Sequence, residues 1–138
     1  MSGQADARNL ICAALGVLLL ATTSSPAAEA PPAALVDVRN AFARAVAAKD
    51  VKAAEALTSF PLKNVVTSAP RTISQAGFAR QFEIYEQLAD CLKDTPLEYV
   101  PGGGGRSKSW IVNCNGNILY FALKQGRWLH SEYENVNE

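Results

Sequence analysis

The chain has 138 residues, with 13 lysines and arginines against 13 aspartates and glutamates, and its formal net charge is zero at pH 7. A chain of this length has room for one domain. The charge balance argues against nucleic-acid binding, because neutralising phosphates requires a surplus of Lys and Arg. No run of like charge marks a membrane-surface patch.

Residues 1–27 are predicted to form a secretory signal peptide that is cleaved. A polar start precedes an apolar run over residues 10–21, and a small-residue segment follows. The apolar run spans about 12 residues, short of the roughly 20 that a spanning helix needs. We expect cleavage after Ala27 rather than Ala30, because Pro31 suits a peptidase poorly. The expected product is a single periplasmic or secreted domain over 28–138, free of the membrane, and an uncleaved anchor is the alternative.

Two cysteines, Cys91 and Cys114, remain after such a cleavage. An even number in an oxidising compartment favours a disulfide. The bridge would close a loop of about 24 residues, worth roughly 3 kcal/mol. Two buried free thiols are the alternative. No metal site is expected, because His130 is the only histidine and no second ligand cluster occurs.

Helices are predicted in the first part of the mature chain. Proline at 31 and 32 opens a helix that runs to residue 48, with apolar residues at spacings of three and four. Asp50 fits the N-cap of a second helix over 51–57, and a short strand is expected over 62–67. Ser74 fits the N-cap of a third helix that ends at 94–96, and a bend or break near Gln87 is left open. The third helix has an apolar face of Phe78, Phe82, Tyr85, Leu88 or Ala89, and Leu92.

The remainder of the chain predicts an antiparallel meander. Strands are expected over 97–100, 107–114, 117–123 and 128–133, and the glycines at 102–105 form a mobile turn between the first two. Asn115-Gly116 is a strong two-residue hairpin signal, and Gln125-Gly126 marks the next turn.

These turns predict the register and hence the two faces of the sheet. Val112 is expected opposite Leu119, and Phe121 between Trp110 and His130. One face then carries Trp110, Val112, Leu119, Phe121, Leu123, Trp128 and His130. The other carries Ile111, Ile118, Tyr120, Ala122, Leu129 and Tyr133. A one-residue error at the second turn would swap the faces of the last strand.

This order of elements resembles the nuclear-transport-factor-2-like (NTF2-like), or cystatin-like, α+β superfamily. The resemblance covers roughly residues 32–138 and rests on Phe60-Pro61-Leu62, Ile73-Ser74 leading to Phe78, residues 116–121, Gly126-Arg127-Trp128 and residues 133–138. It implies N-terminal helices packed on a curved antiparallel sheet that forms a cone-shaped cavity. It also implies that the second sheet surface often makes homodimers. Because members include enzymes, binding modules and uncharacterised exported proteins, the resemblance fixes no chemistry.

The function expected from the sequence is non-covalent binding of a small apolar ligand or a protein partner, with no cofactor. The expected binding residues are Tyr85, Trp110, Phe121, Trp128 and His130. His130 has a second interpretation, as a half-buried histidine at the end of a strand. The chain has a single histidine, so a family mechanism that uses two histidines with an aspartate is not available.

Two other classes of function stay open. The first is a small acid-base enzyme of the isomerase or dehydratase type, drawing on Tyr85 with Glu83, Glu86 and Asp90, although the glutamates fall off the apolar helix face. The second is an interaction protein with no cavity. Residues 102–108 lack the ending of a phosphate-binding loop, and no nucleophile motif occurs, so no catalytic residue is assigned.

Overall fold

The computed structural model describes residues 29–66, 69–102 and 107–137. Its elements, in chain order, are α1 (Ala33–Ala47), α2 (Val51–Ala56), β1 (Thr58–Val66), β2 (Ala69–Ile73), α3 (Gln75–Arg80), α4 (Glu83–Glu86), α5 (Ala89–Asp94), β3 (Glu98–Val100), β4 (Ser109–Cys114), β5 (Asn117–Lys124) and β6 (Arg127–Asn135). The predicted signal peptide lies outside the described residues, as do residues 103–106, which include three of the four glycines of the predicted mobile turn. The α+β class is confirmed.

The strands form one curved, unclosed sheet with the order β2-β1-β6-β5-β4-β3. The predicted meander from β3 to β6 is antiparallel throughout. Strand β1 lies parallel to β6, which makes the sheet mixed, a feature that the sequence did not predict. A parallel pair needs a long crossover rather than a hairpin, and most of the domain lies between these two strands.

The predicted N-caps hold the short helices in place. The Asp50 carboxylate accepts a hydrogen bond from the Ala53 N–H at 3.1 Å, and the Ser74 hydroxyl accepts one from the Gly77 N–H at 3.1 Å. Each cap satisfies a backbone donor that the first turn of a helix leaves unpaired. Helix α1 begins directly after Pro32, as the two prolines predicted.

The predicted third helix is divided into three. Helices α3, α4 and α5 are separated at residues 81–82 and 87–88, so the break near Gln87 is accompanied by an earlier one. At both breaks the backbone forms hydrogen bonds of the 3₁₀ type, between residues three positions apart. The Phe82 N–H donates to the Ala79 carbonyl, and the Leu88 N–H donates to the Tyr85 carbonyl. The apolar face survives the breaks, because Phe78, Phe82, Tyr85 and Leu92 are all buried.

Strand β1 differs from the prediction in its start. It begins at Thr58 rather than residue 62, and its pairing with β6 shifts register between Thr58 and Lys63. Pro61 lies inside this irregular stretch, which is where a residue without an N–H fits in a strand. Strand β2 was not predicted. It pairs with β1 and forms one edge of the sheet.

The predicted strand register is confirmed: Val112 lies opposite Leu119, and Phe121 lies opposite His130. Both turns have two residues with positive φ, from 50° to 87°. The pairing of β5 with β6 then shifts by one residue, because Tyr120 lies opposite Glu132 while Phe121 lies opposite His130. The extra residue, Ser131, is a β-bulge. The predicted position of Tyr133 on the second face is therefore wrong: Tyr133 lies opposite Leu119 and is buried in the core.

The helices cover one side of the sheet, which we call the inner face; the opposite side is the outer face. The fully buried side chains between helices and sheet include Phe42 of α1, Phe78 of α3, and Leu119 and Phe121 of β5. Cys91 of α5 and Cys114 of β4 form the predicted disulfide, with Cα atoms 5.9 Å apart. The bridge fastens the last helix to the sheet. None of the described helices is long and apolar enough to cross a membrane.

Candidate functional site

Four of the five predicted binding residues lie in the packed interior. Tyr85, Trp110, Phe121 and His130 expose between 0% and 4% of their surface, and Trp128 is half-buried against the same core. The structure brings Tyr85, Phe121 and His130 together around Phe42, whose ring centre lies 5.2 to 6.1 Å from theirs. Trp110 instead packs against Tyr99, with ring centres 5.3 Å apart.

Phe42 thus occupies the space in front of the predicted aromatic wall. It belongs to the apolar face of α1, which the periodicity identified as a core face. Edge-to-face rings at these separations are a favourable packing arrangement. The inner face around Phe121 and His130 is therefore filled by the protein itself.

His130 is held by hydrogen bonds at both ring nitrogens. Its Nδ1 lies 3.1 Å from the Tyr120 carbonyl oxygen, and its Nε2 lies 2.9 Å from the Tyr85 hydroxyl. A carbonyl only accepts, so Nδ1 carries the proton and Nε2 accepts the hydrogen bond that the Tyr85 hydroxyl donates. The pair links α4 to β6 through the core.

Both members of this pair are electrically neutral at pH 7. Burial lowers the pKa of His130 from 6.5 to about 4, and the hydrogen bond to the Tyr120 carbonyl opposes that shift in part. Burial also raises the pKa of Tyr85 well above its usual value, with a contribution from Tyr133. Because both side chains are neutral at pH 7 and both ring nitrogens of His130 already make hydrogen bonds, the bond between Tyr85 and His130 has a structural role.

Beside this pair the protein has an open cleft of about 510 Å³, formed between the inner face, helix α4 and the turns before and after that helix. We call it the amide cleft, because five carboxamide side chains lie along its wall. Its lining residues are Asn64, Arg71, Ile73, Gln81, Ile84, Tyr85, Gln87, Asn117, Tyr133 and Asn135. Tyr85 is the one predicted binding residue among them.

The bulge at Ser131 is what brings Tyr133 and Asn135 into this cleft. After the extra residue, both side chains lie on the inner face with Leu119 and Asn117. The Tyr133 hydroxyl donates to Asn117 Oδ1 at 2.6 Å, and Asn117 Nδ2 donates to the Cys114 carbonyl at 3.3 Å. These bonds fix one wall of the amide cleft.

The charge in the amide cleft comes from Arg71. Within the described part of the chain, no carboxylate, histidine or cysteine lines the cleft. Arg71 lies on the exposed edge strand β2, directly opposite Asn64 of β1. The side-chain oxygen of Asn64 is buried and has no hydrogen-bond partner among the described residues. The cleft therefore offers one cation and several neutral hydrogen-bonding groups.

The acidic residues considered for acid-base chemistry lie elsewhere. Glu83 and Asp90 are exposed, and Glu86 pairs with Lys49 at 3.9 Å. None of the three lines the amide cleft. Among the described residues, no group of three or more His, Cys, Asp or Glu side chains could hold a metal ion.

The outer face has polar as well as apolar character. Tyr120 and Ala122 are buried there, and the Tyr120 hydroxyl donates to Glu134 at 2.5 Å. Lys63 and Glu132 form an ion pair at 3.7 Å across β1 and β6. A smaller pocket of about 280 Å³ lies on this side, lined by Ser59, Pro61, Lys63, Ser107, Ser109, Tyr120, Ala122, Lys124, Ser131 and Glu132. Dimerisation through this face stays a prediction.

Sequence reasoning missed the amide cleft because its residues carry no motif. They come from β1, β2, α4, β5 and β6 and from the turns before and after α4, and β2 itself was not predicted. Isolated Asn and Gln residues are typical of solvated surface, so their side chains alone gave no signal.

The chain is similar to several solved structures. One is an NTF2-like protein of unknown function from Shewanella oneidensis, with 10% identity over 72% of this chain and 93% of that chain and a TM-score of 0.40. Another is from Burkholderia xenovorans, with 14% identity over 75% and 85% of the two chains and a TM-score of 0.35. A third is from Cytophaga hutchinsonii, with 13% identity over 72% and 86% and a TM-score of 0.31.

These neighbours are NTF2-like proteins, the superfamily that the sequence resembles. No protein-family model matches the chain, and no curated protein matches it in sequence.

Proposed function

We propose that this protein is an exported binding module that holds a small molecule non-covalently in the amide cleft. The observation that carries the proposal is the cleft itself, with about 510 Å³ of space lined by carboxamides, two tyrosines and Arg71. Small-molecule sites in proteins are clefts of about 300–1,000 Å³ with a few polar groups that orient the ligand.

Within this proposal, His130 supports the cleft from behind, because its ring packs against that of Tyr85. Phe121 and His130 expose no surface, so a ligand cannot reach them without displacing Phe42. Tyr85 contributes to the cleft wall while its hydroxyl is held by His130. The binding surface thus lies one layer further out than the aromatic face expected from the sequence, and it is more polar.

Binding is better supported than acid-base catalysis. A proton-transfer site needs a titratable group that is free to reach the substrate. Both ring nitrogens of His130 are occupied, and burial keeps its pKa near 4. The lining carboxamides do not titrate. Among the residues that the structure describes, the cleft therefore offers no free base for the isomerase or dehydratase alternative.

Export is the second part of the proposal, with the mature protein in the periplasm or outside the cell. The disulfide between Cys91 and Cys114 supports it, because such bridges persist in oxidising compartments. Protein recovered from an exporting host should have lost about 27–30 residues by intact-mass analysis. Full-length chain in the membrane fraction would contradict the signal-peptide prediction.

Small-molecule binding is tested by screening a fragment library against ¹⁵N-labelled mature protein. We expect hits whose amide shifts centre on Gln81, Ile84 and Asn117. The variant Ile84→Trp, which enlarges a side chain on the cleft wall, should abolish these shifts, and Leu123→Trp, at the other end of the sheet, should leave them unchanged. A library with hits elsewhere but none in the cleft would overturn the proposal.

A further inference from the structure

We infer that the amide cleft binds a small polyhydroxylated carboxylic acid, of the sugar-acid class, whose carboxylate pairs with Arg71 and one of whose hydroxyls donates to Asn64. This inference rests on the proposed function of the cleft. It is carried by the unused hydrogen-bonding capacity of two neighbouring side chains.

The first observation is the state of Arg71. It lines the cleft from edge strand β2, and it forms no ion pair or side-chain hydrogen bond with any residue that the structure describes. A guanidinium presents a planar fork of donors that matches a carboxylate. With no carboxylate of the described chain in the cleft, an anionic ligand is the natural partner.

The second observation is the buried oxygen of Asn64. An acceptor that is shielded from water and unpaired destabilises the folded protein. Asn64 Oδ1 is buried and has no hydrogen-bond partner among the described residues, and Asn64 lines the same cleft. Because this oxygen has almost no accessible surface, a ligand must displace the atoms that cover it, and a hydrogen bond that the ligand then donates would remove this destabilisation. A hydroxyl is a donor of the right kind, while an alkyl chain would leave the oxygen unpaired.

The two side chains are neighbours, because Asn64 and Arg71 lie directly opposite each other on β1 and β2. Side chains opposite each other in antiparallel strands have Cβ atoms roughly 5 Å apart. Their ligand must therefore carry an anion and a hydroxyl close together, which is the arrangement in a hydroxy acid.

The remaining carboxamides account for further hydroxyls. Gln81, Gln87 and Asn135 each bring one donor and one acceptor group to the cleft wall. A hydroxyl both donates and accepts, so it matches a carboxamide. The single cation among the described lining residues matches the one negative charge of a carboxylate better than the nearly two charges of a phosphate monoester.

The test uses isothermal titration calorimetry with three matched probes: D-gluconate, D-glucitol, which lacks the carboxylate, and hexanoate, which lacks the hydroxyls. We expect gluconate to bind at least tenfold more tightly than either of the others. Equal affinity for glucitol would show that the charge is unused, and equal affinity for hexanoate would show that the hydroxyls are unused. Either result overturns the inference, as does inorganic phosphate binding as tightly as gluconate.

The variant Arg71→Gln should weaken the affinity for gluconate at least tenfold and change the affinity for glucitol less than twofold. Arg127→Gln removes the same charge at the far end of β6 and should change neither. Asn64→Asp would place a carboxylate opposite Arg71 and should abolish gluconate binding, with circular dichroism checking the fold. Wild-type affinity in Arg71→Gln would overturn the inference.

Failure of the ligand class is distinguishable from failure of the proposed function. If none of the probes binds but the fragment screen gives hits in the cleft, the sugar-acid inference is wrong and the binding function stands. If neither the probes nor the fragments shift cleft amides, both proposals fail.

Discussion

The Tyr85 hydroxyl donates a hydrogen bond of 2.9 Å to Nε2 of His130, and both side chains are buried. Since Nδ1 of His130 donates in turn to the Tyr120 carbonyl, the three groups form a chain from helix α4 to strand β5. This chain positions the ring of Tyr85 at the wall of the amide cleft. The burial of His130 also makes the stability of the domain depend on pH, because it lowers the pKa of the imidazole.

The first prediction concerns the pH dependence of unfolding. The pKa of His130 is about 4 in the folded protein and near 6.5 when unfolded, so the unfolded chain takes up the proton first as pH falls. The neutral state of His130 therefore contributes about 3 kcal/mol to the free energy of unfolding above pH 6.5. This contribution is lost progressively as the pH falls towards 4. Urea unfolding between pH 7.5 and pH 4 measures it.

The control for this prediction is His130→Gln. Glutamine accepts from Tyr85 and donates to the Tyr120 carbonyl without titrating in this range. Subtracting the variant's profile from that of the wild type removes the contribution of the carboxylates. Parallel profiles between pH 6.5 and pH 4 would show that His130 is not the titrating group.

The second prediction concerns the hydroxyl of Tyr85. Tyr85→Phe leaves Nε2 of His130 buried without a donor, so the free energy of unfolding should fall by about 1–3 kcal/mol. Tyr99→Phe is the matched control, because the Tyr99 hydroxyl makes no hydrogen bond within the described part of the chain and the residue is only half-buried. It should change stability by less than about 0.5 kcal/mol. Equal losses in chemical denaturation would contradict the structural role of the Tyr85–His130 bond.

The third prediction compares the glycines of the two hairpins. Gly116 and Gly126 both have positive φ, 87° and 78°, so alanine at either should cost about 1–2 kcal/mol. At Gly116 the added methyl would also collide with the side chain of Asn137, whose Nδ2 donates to the Asn115 carbonyl. At Gly126 the methyl would meet nothing within 4 Å. Gly116→Ala should therefore lower the melting temperature more than Gly126→Ala, and the reverse order would refute this account.

The fourth prediction concerns the disulfide. Cys91 and Cys114 are 23 positions apart, and cross-linking a loop of this length stabilises by roughly 3 kcal/mol. The double variant Cys91→Ala/Cys114→Ala should lose about this much without leaving a free thiol. Thiol titration of denatured, unreduced wild-type mature protein, which lacks Cys12, checks the premise and should find almost no free thiol. An unchanged melting temperature on adding reductant would contradict a stabilising bridge.

Local features of the fold were predictable from the sequence. The caps at Asp50 and Ser74, the hairpins at 115–116 and 125–126 and the register of Phe121 against His130 all agree with the structure. Each depends on hydrogen bonds or dihedral preferences within a few residues, which the identity of those residues determines directly. The two cysteines that remain after the predicted cleavage likewise indicated a bridge.

Only the tertiary structure decided where the candidate site lies. The bulge at Ser131 turns Tyr133 inwards, the parallel pairing of β1 with β6 brings Asn64 beside it, and strand β2 adds Arg71 at the edge. Phe42, from a helix far away in sequence, fills the space that the aromatic face left open. These outcomes depend on how separate elements pack against one another, and no short stretch of sequence encodes that packing. The sequence by itself therefore determined the elements and their turns, while the packing of the helices on the curved sheet created the amide cleft.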